Sequence, residues 1–363
     1  MDYTLNQAAI AAEQDALEER RRIFEHLPID PVHADWFRRR AWVRTLHGTT
    51  RIEGNSLSDL EVEELLADPS IRLPRREALE ILGVESALEF VDETALRAEV
   101  PLDEAAIREI HRRVLGDISR LLTPGEYRRG ENRVGDADGN IIFTTPPSGD
   151  VPELMHSLGD WLRSGYDDLP GPVAAAVTHL EFVGIHPFYD GNGRTARGIA
   201  RFLLLRHDYA MDGIVSLDAY LDSDRTAYFS AIRDSIGRAY EPGYDATPFV
   251  IYFLKSIVAA ADHVLARLRG LGEVLVELRR AIVSRQLPPS LLDGLAYAWI
   301  NRSMRPADYI RITGRSPQTT TRDLTAAVDQ GFLLPQGERR SRRYLLGGRL
   351  ASLGALAPEG GGE

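Results

Sequence analysis

Residues 186–197 read His186-Pro187-Phe188-Tyr189-Asp190-Gly191-Asn192-Gly193-Arg194-Thr195-Ala196-Arg197. An apolar helical run ends at Ile185 and another begins at Gly191-Asn192-Gly193, so the segment is a corner between two helices. Glycines at a helix start let consecutive backbone N–H groups converge on an anion, and the helix dipole adds to that field. Arg194, Arg197 and Arg201 fall at i, i+3 and i+7, share one face of the second helix, and can address neighbouring phosphates. Asp190 is a hard oxygen donor of the kind Mg²⁺ takes together with substrate phosphates. His186 titrates near neutral pH and can accept a proton from an incoming hydroxyl. A base, a cation ligand and an oxyanion cradle are thus adjacent in the chain.

Composition narrows the chemistry further. The chain has 363 residues, with 43 Lys+Arg against 54 Asp+Glu and a formal charge of −11, a length that allows two or three domains. With 44% apolar and 27% charged residues it supports a sizeable core, which excludes disorder, collagen-like sequence and low complexity. Lys255 is the single lysine and no glycine loop precedes it, so phosphates must be held without a Walker lysine, by arginine. The absence of cysteine removes disulfides, thiolate zinc sites, Fe–S clusters and thiol nucleophiles. Candidate apolar runs such as Phe202 to Leu205 are short and Arg-flanked, well below the roughly 18 to 20 residues of a membrane span. The first residues lack the basic and apolar regions of a secretory signal. The expectation is a soluble, cytoplasmic protein with no membrane partner.

The elements that must position the corner are mostly helical. Periodicity predicts helices from about Leu5 to His26, Ala34 to His47, Ser58 to Ala67, Arg75 to Ala95 and Asp103 to Leu115. Ile141-Ile142-Phe143-Thr144-Thr145 is extended, and Asp136 to Asn140 before it reads as a hairpin turn. That turn imitates the start of a calcium loop but has Ile141 and Pro147 where glycine and glutamate are needed. Helices resume at Val151 to Gly165, Val173 to Ile185, Asn192 to His207, Arg225 to Ser235 and Ala246 to Leu271. His179 reads as a packing residue. From Pro288 to Leu346 three helices and a basic hairpin describe a winged helix. Residues 281–350 carry 11 Arg against 5 acidic residues while the remainder is strongly acidic, so this is a separate module. Arg315, Arg322, Arg339, Arg340, Arg342 and Arg343 are its candidate DNA contacts.

The corner resembles the signature His-Pro-Phe-x-Asp-Gly-Asn-Gly-Arg-x-x-Arg of the Fic family of protein adenylyltransferases, with every specified letter matched. The resemblance implies that His186 deprotonates a target hydroxyl and Asp190 holds Mg²⁺. It implies that Gly191, Asn192 and Gly193 cradle the phosphates of ATP, with Thr195 beside them and with Arg194 and Arg197 on the β- and γ-phosphates. Phe188 would anchor the loop in the core. Gly-Asn-Gly-Arg, without a lysine after the asparagine, is more similar to the adenylyltransferase branch than to the related toxins that phosphorylate their targets. The products are an AMP ester on Tyr, Ser or Thr and pyrophosphate. Upstream, Thr49-Thr50-Arg51-Ile52-Glu53-Gly54-Asn55 resembles the family's inhibitory motif, which implies that Glu53 pairs with Arg197 and obstructs the γ-phosphate. A carboxylate near an arginine-lined anion site competes with phosphate for the same guanidinium. The hairpin at about 133–145 stands where the family has its flap, and Ile142, Phe143 and Thr144 form an edge able to pair with an extended target peptide.

The resemblance therefore implies a mainly α protein, a Fic-type helical domain with a β-hairpin flap. The expected division is residues 1–100 as a helical region with the inhibitory motif, 101–275 as the catalytic domain, 276–350 as the winged helix and 351–363 as a flexible tail. Its partner is a protein with a hydroxyl side chain, with a homodimer and DNA as further partners. Two alternatives remain open at this stage: removal of AMP by the same site, and a DNA-binding regulator whose Fic-like portion senses nucleotide.

Overall fold

The structure is a computed structural model and describes residues 1–97, 99–116, 118, 123–135, 141–164, 166, 168–338 and 342–353. The expected turn at Asp136 to Asn140, Arg339, Arg340 and most of the tail lie outside the described residues. Helices dominate: α1 (Gln7–His26), α2 (Pro31–Ile52), α3 (Asp59–Ala67), α4 (Arg75–Ala95), α5 (Glu104–Leu115), α6 (Val151–Ser164), α7 (Gly171–Ile185), α8 (Asn192–Arg206), α9 (Leu217–Ser223), α10 (Arg225–Ile236), α11 (Thr247–Ser284), α12 (Leu291–Asn301), α13 (Pro306–Thr313), α14 (Pro317–Asp329) and α15 (Gly348–Ala351). The strands are short: β1 (Tyr3–Thr4), β2 (Arg133–Gly135), β3 (Ile141–Thr144), β4 (Tyr244–Asp245), β5 (Ser303–Met304), β6 (Leu333–Gln336) and β7 (Arg343–Leu346).

The chain divides into two compact units, residues 1–27 with 42–260, and residues 28–41 with those from 261 on. In the first, α7 is the central helix. Its run Val173-Ala174-Ala175-Ala176-Val177 is buried on every side, as an all-round apolar helix must be, and α8 packs along it. Helices α4 and α5 complete the layer against α8. Antiparallel pairing of Arg133 with Thr144 and Val134 with Phe143 joins β2 to β3, with a register shift at Gly135. In the second unit, α12, α13 and α14 pack beside a three-stranded antiparallel sheet of order β5-β7-β6, and Trp36 stands edge-on to Tyr297 of α12.

Two helices outrun their sequence signals. Helix α2 does not stop at His47 but continues to Ile52. Gly48 and the β-branched pair Thr49-Thr50 are poor helix formers, yet the turn stays helical, with the Thr50 hydroxyl bonded back to the Leu46 carbonyl at 2.8 Å. Helix α11 runs on through Gly270 and Gly272 to Ser284. It contains an 18-residue window apolar enough to cross a membrane by length and composition. Its Phe249, Val250, Phe253, Leu254 and Ile257 are buried in the core of the first unit, which accounts for that composition.

Candidate functional site

Gly191 is the N-cap of α8 and carries no side chain to cap it. Its φ of 78° lies in the left-handed region that favours glycine, and an added Cβ would crowd Leu115, His111 and Val114 at 3.3 to 3.4 Å. The backbone N–H groups of Asn192, Gly193 and Arg194, which no side chain caps, form the anion nest expected from the sequence. Asn192 does a different task with its side chain. Its Nδ2 donates to the Phe188 carbonyl at 2.9 Å and its Oδ1 accepts from the Phe188 N–H at 3.0 Å, closing the loop on itself.

Arg194 is only 4% exposed, and it donates from Nη2 to Asp190 Oδ1 at 2.9 Å while its Nε and Nη1 have no partner among the described residues. Burying guanidinium donors unsatisfied is costly. Two such donors beside an uncapped helix start have the chemistry to bind anionic oxygens. Thr195 is fully buried and its hydroxyl is also unpartnered. Asp190 Oδ1 also accepts from the Gly191 N–H at 2.5 Å. Arg201 is not brought to the nest. It makes a bidentate pair with Asp92 at 2.5 and 2.6 Å, which corrects the expectation of three arginines on one phosphate face.

His186 ends α7 as its left-handed C-cap, with φ 51°. Its Nδ1 stands 3.3 Å from the Val183 carbonyl, which can only accept, so Nδ1 carries the proton and Nε2 keeps the lone pair. Burial pushes its pKa below the ordinary histidine value. It is therefore neutral at pH 7 and competent as a base.

Arg197 is the most heavily bonded cation in the site. Nε donates to the Thr49 hydroxyl at 2.7 Å, and Nη2 to the Thr49 carbonyl and to Glu53 Oε1, both at 2.8 Å. Nη1 reaches the Tyr228 hydroxyl at 3.5 Å, and Asp218 Oδ1 lies 3.5 Å from Nε. The Glu53–Arg197 pair expected from the inhibitory motif is thus formed. The same carboxylate covers the nest, since a Cβ at Gly193 would collide with Glu53 Oε1.

Several supporting residues carried no sequence signal. His111 is buried and stacks flat on Phe188 with ring centroids 3.5 Å apart. Its Nδ1 accepts from the Gly125 N–H at 2.9 Å, so Nε2 is the nitrogen that donates to the Asp190 carbonyl at 2.9 Å. Burial lowers its pKa to about 4, which keeps that neutral tautomer. Arg128 ties the loop to the hairpin, donating to the carbonyls of His186 at 3.0 Å and Pro146 at 2.6 Å. Asp218 and Tyr228 come from α9 and α10, and α9 was not read from the sequence at all. His179 is a structural group, as expected: its Nε2 shares a hydrogen bond with the Tyr228 hydroxyl at 2.9 Å, its ring stacks on Phe249, and burial lowers its pKa to about 3.

At the hairpin, Ile141 and Ile142 are exposed but Phe143 is buried. The Thr144 N–H donates to the Arg238 carbonyl at 2.9 Å and its carbonyl accepts from the Tyr240 N–H at 3.1 Å, so its outer edge is already used. The edge left for another strand is at Ile142.

The chain is similar to several known proteins. Residues 101–204 match the Fic/DOC family. A protein adenylyltransferase Fic from Nematostella vectensis is 31% identical over 196 residues, 53% of this chain and 44% of that protein. The match thus spans less than half of that relative's length. A Fic-domain-containing signaling protein from Bacteroides thetaiotaomicron superposes with a TM-score of 0.58 at 25% identity, covering 70% of this chain and 94% of the other. A Fic family protein from Desulfovibrio desulfuricans has the same fold over 96% of this chain and 98% of its own, with a TM-score of 0.59 at 22% identity.

His111→Phe keeps the stack on Phe188 but orphans the Gly125 N–H and the Asp190 carbonyl, at a cost of about 1–3 kcal/mol per group. Denaturant melts should show that loss, and hydrogen exchange should speed up at the amides of residues 188–191; unchanged exchange would show that the loop does not depend on His111.

Proposed function

From the Fic/DOC-family domain of residues 101–204, we propose that the chain transfers AMP from ATP to a hydroxyl side chain of a target protein and rests with Glu53 blocking the nucleotide site. The observation that carries the reading is Arg194, buried beside the uncapped start of α8 with Nε and Nη1 unpartnered, next to a histidine whose Nε2 lone pair is free. Anion-binding donors beside a neutral base suit phosphoryl chemistry with an alcohol nucleophile.

The target hydroxyl gives its proton to His186 Nε2 as its oxygen attacks the α-phosphorus. The bond from that phosphorus to the α,β-bridging oxygen breaks, and pyrophosphate leaves with the electron pair. The amides of Asn192, Gly193 and Arg194 and the free donors of Arg194 stabilise charge on the phosphate oxygens. Asp190 fits Mg²⁺: Oδ1 is committed to Gly191 and Arg194, which leaves Oδ2 as a hard donor. Among the described residues no three His, Asp or Glu side chains converge as a cage, so the ion's other ligands would be phosphate oxygens and water. Bound there, it would neutralise phosphate charge. The exposed strand edge at Ile142 would hold the target backbone.

Glu53 stands where a phosphate would, against Gly193 and Arg197. Glu53→Gly should raise self-labelling with radiolabelled ATP by at least tenfold, since an ion pair exchanged for a phosphate contact involves on the order of 1.4 kcal/mol or more. Adding His186→Ala should abolish the label. No increase in the single variant would remove the inhibitory role of Glu53, and Glu53-dependent release of AMP from a labelled target by the wild type would assign it to positioning water instead.

The pH profile follows from the imidazole. A lowered pKa means the base form persists below the ordinary value of 6.5 and is lost only as pH falls through the lowered value. The turnover number of Glu53→Gly should therefore be flat through neutral pH and fall on the acid side with a midpoint below 6.5. An acid limb centred above 7 would contradict this assignment.

A further inference from the structure

We propose that the second unit binds duplex DNA, with the exposed face of α14 in the major groove. Helices α13 and α14 are joined by three residues, Gly314-Arg315-Ser316, and Gly314 takes a φ of 65°. A short glycine-containing turn of this kind sets the second helix of a helix-turn-helix pair to enter a groove. Strands β6 and β7 follow directly, in the position of a wing.

The orientation of α14 is fixed from inside. Thr320, Asp323, Leu324 and Ala327 are buried, which leaves Gln318, Thr321, Arg322 and Thr325 outward at i, i+3, i+4 and i+7. None of the four is apolar. A helix that docks into a protein groove presents apolar anchors at that spacing. These side chains instead suit base edges: arginine matches guanine, the glutamine amide matches adenine, and threonine can offer its methyl to thymine. The hydroxyls of Thr321 and Thr325 bond back to the carbonyls of Pro317 at 3.0 Å and Thr321 at 2.8 Å, leaving the methyls as contact groups.

Charge is segregated in the same sense. Of the five acidic residues among the eleven arginines of residues 281–350, two are withdrawn from the surface. Asp323 is fully buried and accepts from Tyr309 at 2.9 Å and Ser290 at 3.0 Å. Asp308 is buried between Arg305 and Arg311, each at 3.6 Å. The Arg322 side chain is 77% exposed although its Nε lies 3.9 Å from Asp323 Oδ1, and Arg315 is exposed beside the helix start. Arg343 is withdrawn from the candidate contacts, being only 3% exposed. Double-stranded RNA is disfavoured as the occupant, since its major groove is too deep and narrow for a helix.

The test uses the full chain and fluorescence anisotropy of a labelled random duplex of about three helical turns, between about 50 and 200 mM salt. The logarithm of the association constant should fall linearly with the logarithm of salt concentration, and Arg315→Ala should shallow that slope by about 0.9, one phosphate contact. Against sequences selected from a randomised pool, Arg322→Ala should cost tenfold or more relative to random duplex. Both variants should keep the wild-type thermal melt. Absence of binding at the lowest salt, affinity unchanged in the Arg315→Ala/Arg322→Ala double variant, or equal affinity for A-form RNA of the same length would overturn the proposal.

Discussion

The Arg197 guanidinium governs the architecture of the first unit. A cation only 5% exposed must have its donors satisfied, and here the partners come from α2, the turn after it, α9 and α10. Burial alone would destabilise its charge, but Tyr228, Glu53 and Asp218 around it raise its affinity for the proton. The partners are not equivalent. Thr49, Tyr228 and Asp218 are fixed in the packed interior, whereas Glu53 is the partner at the mouth of the nest, with about a third of its side chain exposed. Under the function proposed above, a phosphate replacing that one carboxylate would leave the other contacts in place and would not expose an unpaired buried charge, an event that costs several kcal/mol.

The loop of residues 186–192 owes its shape to hydrogen bonds made mostly by side chains to backbone. Asn192 closes residues 188–192, His111 holds the Asp190 carbonyl, and Arg128 holds the His186 carbonyl. Buried backbone groups in an irregular loop have no ladder to satisfy them, so each needs a dedicated partner. The result is that His186, in a left-handed conformation a non-glycine residue rarely adopts, is over-determined from three directions. Its backbone is held by the loop, while its ring is oriented by the Val183 carbonyl of the helix it terminates.

Residues 186–197 were legible because the nest, the base and the carboxylate are neighbours in sequence, and local chemistry constrains local types. Asn192 shows the limit: its presence was readable, but its side chain staples the loop and contributes only its N–H to the nest. Arg201 shows another, because helical spacing puts it on the same stripe as Arg194 while its actual partner, Asp92, is over a hundred residues upstream. His111, Arg128, Asp218 and Tyr228 act through tertiary contacts and leave no periodic or compositional trace. The helical character of most elements was evident from apolar spacing, yet α2 and α11 ran past their apparent breakers since packing outweighs a propensity cost near 1 kcal/mol per residue.

The extension of α2 to Ile52 matters for how Glu53 can be withdrawn. The last turn is pinned, with Arg225 donating to the Arg51 carbonyl at 2.9 Å and Thr49 held on Arg197. Glu53 itself lies just beyond the helix, where its N–H bonds to Thr50 O at 3.1 Å, and Gly54 follows with a φ of 97°. The smallest movement that clears the nest is then a rotation in this two-residue turn, using the freedom of Gly54, while α2 stays in place. Such a change breaks one ion pair and one or two turn hydrogen bonds. At about 0.5–1.5 kcal/mol net for each hydrogen bond, it falls in the range that a binding partner or a triphosphate can supply. Moving the whole helix would instead strip Thr49 from Arg197 and leave a buried cation short of partners, so the covering carboxylate and the anchoring threonine must respond separately although only four residues separate them.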